Sequence, residues 1–233
     1  MTSPDLAAHY TRLWETTKQK IQETGGYELD PLIDAPDDLR RGITLVIRPS
    51  QEVKVRMQSF LQELRALEPE QYYYPASDLH VTVLSIISCY PGFRLEDIVL
   101  SDYVARVRQA LVGIRPFAIH YQGITASPSC VLAQGFPQDD MLGRLRDQLR
   151  TAFKSSGLQQ SIDARYTLQT AHSTVLRFRM PLRQPAAFLE KLESLREHDF
   201  GLSPITGAEL VFNDWYQREQ DVQVLARFPF EGP

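Results

Sequence analysis

The stretch DLHVTVLS, from Asp78 to Ser85, has the apolar alternation of a buried β-strand but carries a histidine and a threonine two residues apart. The stretch AHSTVLRF, from Ala171 to Phe178, repeats the His-x-Thr-Val-Leu pattern later in the chain. Residues i and i+2 of a strand point to the same face of a sheet, so each histidine is predicted to project beside its threonine. Two predicted strands therefore each present one titratable ring and one hydroxyl.

Predicted elements of similar type and order surround the two stretches. In the first half, the strand GITLVIR is followed by an amphipathic helix, by the first His-x-Thr strand and by a second helix. In the second half, the strands FAIHYQGI and CVLAQGF precede a helix, the second His-x-Thr strand at about residues 166–180, and another helix. Two further strands are predicted near residues 208–212 and 222–228. If an approximate two-fold axis relates the halves, the four motif side chains meet in one cleft.

Such a cleft would hold a near-neutral acid and base on opposite sides, with two hydroxyl donors between them. This combination suits an anion whose oxygens must be held while one bond forms and another breaks, as in a phosphodiester or a cyclic phosphate. A single histidine on a strand is more often a hydrogen-bonded structural residue than a catalyst. The occurrence of both triplets at the same position of each half favours a functional role.

At these residues the sequence resembles the 2H phosphoesterase superfamily, whose signature is a pair of His-x-Thr motifs, here HVTVL and HSTVL. The branch to which it is most similar is the bacterial RNA 2′,3′-cyclic phosphodiesterase and 2′-5′ RNA ligase group. The resemblance implies an α+β fold with two pseudo-symmetric lobes, in which antiparallel sheets flanked by helices surround a central cleft. Residues 41–233 are predicted to be this single domain, with lobes at about 41–115 and 116–233 between which strands can be exchanged. Residues 1–40 are predicted to be an N-terminal helix and loop extension.

The same resemblance implies the site residues. His80 and His172 take the roles of general acid and base, Thr82 and Thr174 bind the substrate phosphate, and no metal or cofactor takes part. Some members of the bacterial branch also have an arginine five residues after the second histidine, which here is Arg177. Strict alternation along the strand instead places Arg177 on the face opposite His172. The resemblance and the alternation therefore disagree about this residue.

The composition of the chain limits which binding partners and which cellular location we expect for the protein. The chain has 233 residues, 43% of them apolar and 23% charged, as is typical of a globular protein. Neither a membrane span nor a signal peptide is predicted, and two cysteines do not make a disulfide framework. We therefore expect a cytoplasmic monomer without membrane contact. The net charge of −4 disfavours long nucleic acids but leaves a nucleotide or a short RNA end possible.

Other candidate sites have weaker patterns. A zinc hydrolase needs three protein ligands, and no third ligand accompanies the motif histidines at metal spacing. The absence of a glycine-rich phosphate loop argues against an ATP-dependent ligase. His120 and His198 are interpreted as structural residues. The run from Tyr72 to Tyr74 could stack on a base, but packing before the first motif strand is the favoured interpretation.

The sequence therefore predicts a metal-independent phosphoesterase that opens a 2′,3′-cyclic phosphate or cleaves a 2′-5′ linkage, with a role in RNA processing. The alternative from another class is a binding module that holds a nucleotide or RNA end in the same cleft without turnover. An N-terminal helix that recruits a partner is compatible with either. The sequence leaves open which histidine is the base. It also leaves open whether the substrate is an RNA end, a cyclic nucleotide, a 2′-5′ oligonucleotide or an ADP-ribose cyclic phosphate.

Overall fold

A computed structural model describes residues 3–24 and 26–231. The helices are α1 (Ser3–Thr24), α2 (Gln51–Leu67), α3 (Leu100–Ala110), α4 (Met141–Lys154) and α5 (Pro185–Ser194). The strands are β1 (Arg40–Ile47), β2 (Tyr72–Tyr73), β3 (Val81–Pro91), β4 (Phe117–Ser127), β5 (Cys130–Pro137), β6 (Ser173–Arg177), β7 (Asp199–Ile205), β8 (Gly207–Asp214) and β9 (Gln223–Pro229). None of the helices in these two ranges is long and apolar enough to cross a membrane.

The strands form two antiparallel sheets. The first has the order β3-β1-β8-β9, and the second has the order β2-β6-β5-β4-β7. The two closing strands of the chain thus pair with β1 from the first half, while β2 from the first half pairs with β6. The predicted α+β fold with two antiparallel sheets is confirmed.

Helix α1 packs on the second sheet, against β4 and β5. Its inner face buries Tyr10 and Trp14, which are 0% and 1% exposed. The hydroxyl of Thr17 donates to the carbonyl oxygen of Ala126 at 2.9 Å, and the hydroxyl of Thr125 donates to the carbonyl oxygen of Tyr10 at 2.8 Å. Because buried aromatic side chains contribute heavily to a core, this helix is an integral layer of the structure.

The second motif strand is shorter than the sequence pattern predicts. Only Ser173–Arg177 is strand, whereas residues 158–172 form an irregular loop beside it. The loop is bound at two places. The Ser161 amide donates to the Ile86 carbonyl at 2.8 Å, and the Arg150 guanidinium binds Asp163 at 2.8 Å and the Leu168 carbonyl at 3.1 Å. The bond from Ser161 holds the loop along the free edge of β3, and residues 166–172 do not pair in the second sheet.

Candidate active site

A β-bulge follows the threonine of the first motif. Thr82 pairs with Val46 and Leu84 pairs with Leu45, so Val83 has no partner position on β1. An inserted residue shifts the alternation of the strand by one. Ser85, three residues after Thr82, consequently faces the same side of the sheet, and both line one cavity.

The second motif has its bulge at the same position. Thr174 pairs with Leu132 and Leu176 pairs with Val131, which leaves Val175 without a partner on β5. Arg177 is thereby turned to the side of Thr174, and both line the same cavity as His172. The alternation argument, which put Arg177 on the opposite face, is wrong because it assumed a regular strand. Arg177 occupies the position equivalent to Ser85.

All five residues singled out from the sequence line one cavity of about 260 Å³ between the two sheets. They are His80, Thr82, His172, Thr174 and Arg177. The rest of the lining comes from β1, β3, β8, the loop at 158–172, the segment after β8 and Tyr74, which directly follows β2. Both motif strands thus contribute a ring and a hydroxyl to the same space, together with one guanidinium.

The backbone beside His80 determines the tautomer of its ring. Nδ1 lies 2.7 Å from the carbonyl oxygen of Asp78. Since a carbonyl oxygen only accepts hydrogen bonds, Nδ1 carries the proton and Nε2 of the neutral ring carries the lone pair. Burial, with smaller contributions from the cations Arg48, Arg177 and Lys54, lowers the pKa of His80 to about 4 against the opposing effect of the Asp78 carbonyl. The resting ring at neutral pH is therefore a free base.

His172 has a different partner. Its Nδ1 lies 2.7 Å from the hydroxyl oxygen of Thr170, which can donate to a neutral ring or accept from a protonated one. Burial lowers the pKa of His172 to about 4, with smaller contributions in the same direction from Arg146 and His80. The Thr170 hydroxyl thus accommodates both protonation states of this ring, whereas burial alone disfavours the charged state.

Arg146, on α4, connects the first motif strand with the loop that precedes the second. Its guanidinium donates to the carbonyl oxygens of Thr82 at 2.9 Å, Val83 at 2.9 Å and Thr170 at 2.8 Å. The residue is 4% exposed, and within the described residues no carboxylate forms an ion pair with it. Burial lowers the pKa of Arg146 to about 10. The side chain therefore supplies donors to the bulge of β3 and to the residue two before His172.

Arg146 is not among the site residues predicted from the sequence, although the sequence carries a signal for it. The residue lies four positions after Leu142 and three before Leu149, on the apolar stripe of α4. A charged residue on a buried helical stripe requires hydrogen-bond partners in the core. Here those partners are two carbonyls of the first motif strand and one in the loop before the second.

Arg177 is held by Tyr74, whose hydroxyl oxygen accepts from its Nε at 2.9 Å. The guanidinium also lies 3.8 Å from Asp30. Tyr73 and Tyr74 are 6% and 2% exposed, and the Tyr72 ring meets the Tyr74 ring edge-on with centroids 5.1 Å apart. Tyr73 and Tyr74 are therefore packed in the core, as the packing interpretation predicted, and Tyr74 in addition positions Arg177, which was not predicted.

The other two candidate histidines lie away from the cavity. Nε2 of His120 is 2.8 Å from Oδ1 of Asp199, and the His198 ring contacts the Phe200 ring edge-on at 4.8 Å. Both residues thus have local protein partners, in agreement with a structural role. Across the residues that the structure describes, no group of three or more His, Cys, Asp or Glu side chains could hold a metal ion.

Comparison with solved structures identifies the fold. TT0787 of Thermus thermophilus matches with a TM-score of 0.59 and 17% identity, over 82% of this chain and 98% of that one. LigT of E. coli complexed with 3′-AMP matches with a TM-score of 0.55 and 15% identity, over the same shares of the two chains. LigT complexed with phosphate matches with a TM-score of 0.53 and 15% identity, again over 82% and 98%. At these identities the matches show the fold alone, and the α+β fold implied by the sequence resemblance is confirmed as one shared with these proteins.

Comparison at the level of sequence gives no match. No family model matches the sequence. No curated protein matches it either.

Proposed function

We propose that this protein is a metal-independent phosphoesterase that acts on a 2′,3′-cyclic phosphate or a 2′-5′ phosphodiester of RNA ends or nucleotides. The observation that carries the proposal is the shared cavity, in which two histidine–threonine pairs and Arg177 surround one space. A tetrahedral anion placed there would meet two hydroxyl donors and a guanidinium, with a titratable ring contributed by each sheet.

The reaction is a displacement at phosphorus. For a cyclic phosphate, Nε2 of His80 takes a proton from water as the water oxygen bonds to phosphorus. The bond from phosphorus to one ribose oxygen breaks, and protonated His172 gives its proton to that oxygen. The hydroxyls of Thr82 and Thr174 and the Arg177 guanidinium bind the non-bridging oxygens. One water is consumed, and the product is a phosphate monoester beside a free hydroxyl.

The hydrogen bonds of the two rings support this division of roles. His80 presents a lone pair on Nε2 because its Nδ1 proton is held by a carbonyl. His172 must be charged to act as an acid, and the Thr170 hydroxyl can accept from the charged ring. The negative charge of a bound phosphate favours that proton, because an opposite charge at short range raises the pKa of a histidine.

The ligands of the structural neighbour agree with a nucleotide substrate. LigT of E. coli has been crystallised with 3′-AMP and with phosphate. A nucleotide carrying its phosphate on the ribose 3′-oxygen is what hydrolysis of a 2′,3′-cyclic phosphate can release. This neighbour supports nucleotide binding in the present cleft, where the catalytic groups are supplied by this chain's own histidines.

A panel of phosphodiesters tests the proposal. Adenosine 2′,3′-cyclic phosphate, 2′-5′ and 3′-5′ diadenosine monophosphates and an ADP-ribose cyclic phosphate would be incubated with purified protein and chelator, and the products separated by chromatography. We expect cleavage of the cyclic phosphate or the 2′-5′ linkage, with the 3′-5′ linkage intact. The proposal fails if none of the first, second and fourth compounds is cleaved.

The threonine hydroxyls are expected to bind phosphate and to take no part in proton transfer. Thr82→Ala or Thr174→Ala should weaken transition-state binding by about 1 to 3 kcal/mol, the range for a hydrogen bond to a charged group. Thr→Ser at either position should retain most of the activity because the hydroxyl remains. The measurement is kcat/KM on the best substrate of the panel. Equal losses for serine and alanine would indicate that the threonines act through packing.

The pH dependence follows from the lowered pKa of both rings, about 4 in the free protein. Catalysis requires that one of the two histidines is protonated and the other neutral. The pH dependence of kcat/KM reports the protonation state of the free enzyme. We therefore expect kcat/KM to rise about tenfold per pH unit as the pH falls from 8 to 5. The maximum of kcat should lie at a higher pH, because bound phosphate raises both pKa values. A kcat/KM that is flat across this range would contradict the two-histidine mechanism.

A further inference from the structure

The segment that connects α1 to β1 runs along the end of the second motif strand. The amide of Asp30 donates to the carbonyl oxygen of Phe178, one residue after Arg177, at 2.9 Å. The Tyr27 ring packs on the Phe178 ring, with centroids 5.2 Å apart. These contacts fix residues 27–30 beside β6, although they precede the part of the chain that resembles the phosphoesterase superfamily.

The side chain of Asp30 faces the guanidinium of Arg177. Its Oδ2 lies 3.8 Å from Nη1 of Arg177, and the two side chains are 13% and 16% exposed. Within the described residues, neither of them forms an ion pair with any other side chain. Oδ1 of Asp30 accepts from the Tyr216 hydroxyl at 2.9 Å and from the Leu32 amide at 3.2 Å. The carboxylate that faces Arg177 is therefore itself held by two hydrogen bonds.

Three contacts together hold the guanidinium of Arg177. The Tyr74 hydroxyl accepts from Nε at 2.9 Å, Asp30 faces Nη1, and the centroid of the Tyr216 ring lies 5.5 Å from the guanidinium carbon. The Tyr216 residue is 1% exposed, and its hydroxyl oxygen accepts from Arg40 at 3.1 Å. A flexible side chain that is already held in this way does not have to be ordered when a ligand binds.

The negative charge of Asp30 serves Arg177 and not the local turn. An asparagine could accept both hydrogen bonds now made to Oδ1, because an amide oxygen accepts as a carboxylate oxygen does. The carboxylate also weakens the attraction of Arg177 for an anion, so its charge opposes phosphate binding while its contact orients the guanidinium. At 3.8 Å the pair is longer than a hydrogen bond, so the donors of Nη1 remain available to a phosphate.

We propose that the segment at residues 26–39 contributes to the phosphate site, with Asp30 as a positioning residue for Arg177. The carboxylate holds the guanidinium in the orientation in which it lines the cavity, and this ordering outweighs the partial loss of positive charge. The inference rests on the proposed function for the identity of the anion. It goes beyond that function because it gives residues before β1 a role in substrate binding.

The test is Asp30→Asn, which removes the charge and keeps an acceptor for the bonds to Oδ1. With adenosine 2′,3′-cyclic phosphate we expect kcat/KM to fall roughly 2- to 12-fold, the cost of ordering one flexible side chain. Most of this fall should be a higher KM, because Arg177 binds the phosphate before and during the reaction. A residue that only stabilised the fold would lower the free energy of unfolding and leave KM unchanged. Steady-state kinetics and chemical denaturation measure the two effects.

Asp34→Asn is the matched control. Asp34 lies in the same segment, and its carboxylate is 3.3 Å from Arg179, but neither of these residues lines the cavity. KM should therefore remain unchanged in this variant. In an Arg177→Met background, Asp30→Asn should no longer raise KM, because the guanidinium through which it acts is absent.

Three results would overturn the positioning role and leave the phosphoesterase proposal intact. They are an unchanged KM in folded Asp30→Asn, a lower KM, and a rise by the same factor in the Arg177→Met background. A lower KM would show that the carboxylate competes with phosphate for Arg177. If Asp30→Asn does not fold, Tyr216→Phe replaces it, since this variant keeps the ring beside Arg177 but removes the donor to Asp30. Its KM should rise by a smaller factor, and an unchanged KM would overturn the role.

Calorimetry separates this inference from the proposed function. If no diester is hydrolysed, the phosphoesterase proposal fails, and the binding of 3′-AMP to the unaltered protein, to Asp30→Asn and to Asp34→Asn is compared. Weaker binding to Asp30→Asn alone would still support the positioning role. Equal affinities for the three proteins, or no binding to the unaltered protein, would overturn it.

Discussion

Replacing His80 or His172 by alanine is expected to lower kcat on a 2′,3′-cyclic phosphate by about 10²- to 10⁴-fold. This is the usual contribution of one positioned proton-transfer group. Each ring lines the shared cavity and has a hydrogen bond that orients it, at 2.7 Å in both cases. The double variant should lose far less than the product of the two single losses, because residues that act as one unit are not additive. Steady-state rates of the three variants measure this.

His120→Ala is the matched control. Its ring binds Asp199 at 2.8 Å and lies outside the cavity, so turnover should remain normal. If a single motif variant instead kept near-normal turnover on every diester of the panel while the ligand still bound, the two rings would not be an acid–base pair. If the unaltered protein turned over none of them but bound nucleotides, the binding-module interpretation would hold.

Arg146→Met is expected to give the second largest effect, because it removes all three donors from the carbonyls of Thr82, Val83 and Thr170. Each buried carbonyl left without a donor costs about 1 to 3 kcal/mol, so the free energy of unfolding should fall by several kcal/mol. The bulge that orients the first motif should loosen, and kcat should fall as well. Chemical denaturation and steady-state kinetics measure the two effects.

A pH profile distinguishes this role from simple stabilisation. The Arg146 charge lowers the pKa of His172, so its removal should move the rise of kcat/KM to higher pH. Arg144→Met is the control, since Arg144 is an exposed residue of the same helix. An unchanged profile in a folded Arg146→Met variant would show that the residue supports the fold without tuning the site.

The sequence predicts the parts of the site that depend on local periodicity. His80 and Thr82 share a face because they are two residues apart, and the same holds for His172 and Thr174. The amphipathic helices and most strands also follow from apolar spacing. The convergence of the two motifs could be expected because both occupy the same position in similar successions of elements.

The features that the sequence did not predict depend on contacts between distant segments. The bulges at Val83 and Val175 are visible only in the pairing with β1 and β5, and they decide where Ser85 and Arg177 point. The return of β8 and β9 to the first sheet is a long-range pairing. Residues 166–172 are predicted as part of the second motif strand, but they belong to the loop that Arg150 and the bond from Ser161 to β3 hold beside the cleft.

The most direct test of the account is ³¹P NMR of adenosine 2′,3′-cyclic phosphate incubated with the protein in excess chelator. The account predicts that the cyclic phosphate signal is replaced by that of a single phosphate monoester, at a rate that chelator does not change and that His80→Ala lowers at least about a hundredfold. A signal that stays cyclic, or turnover that stops with chelator and returns on addition of zinc or manganese, would contradict it.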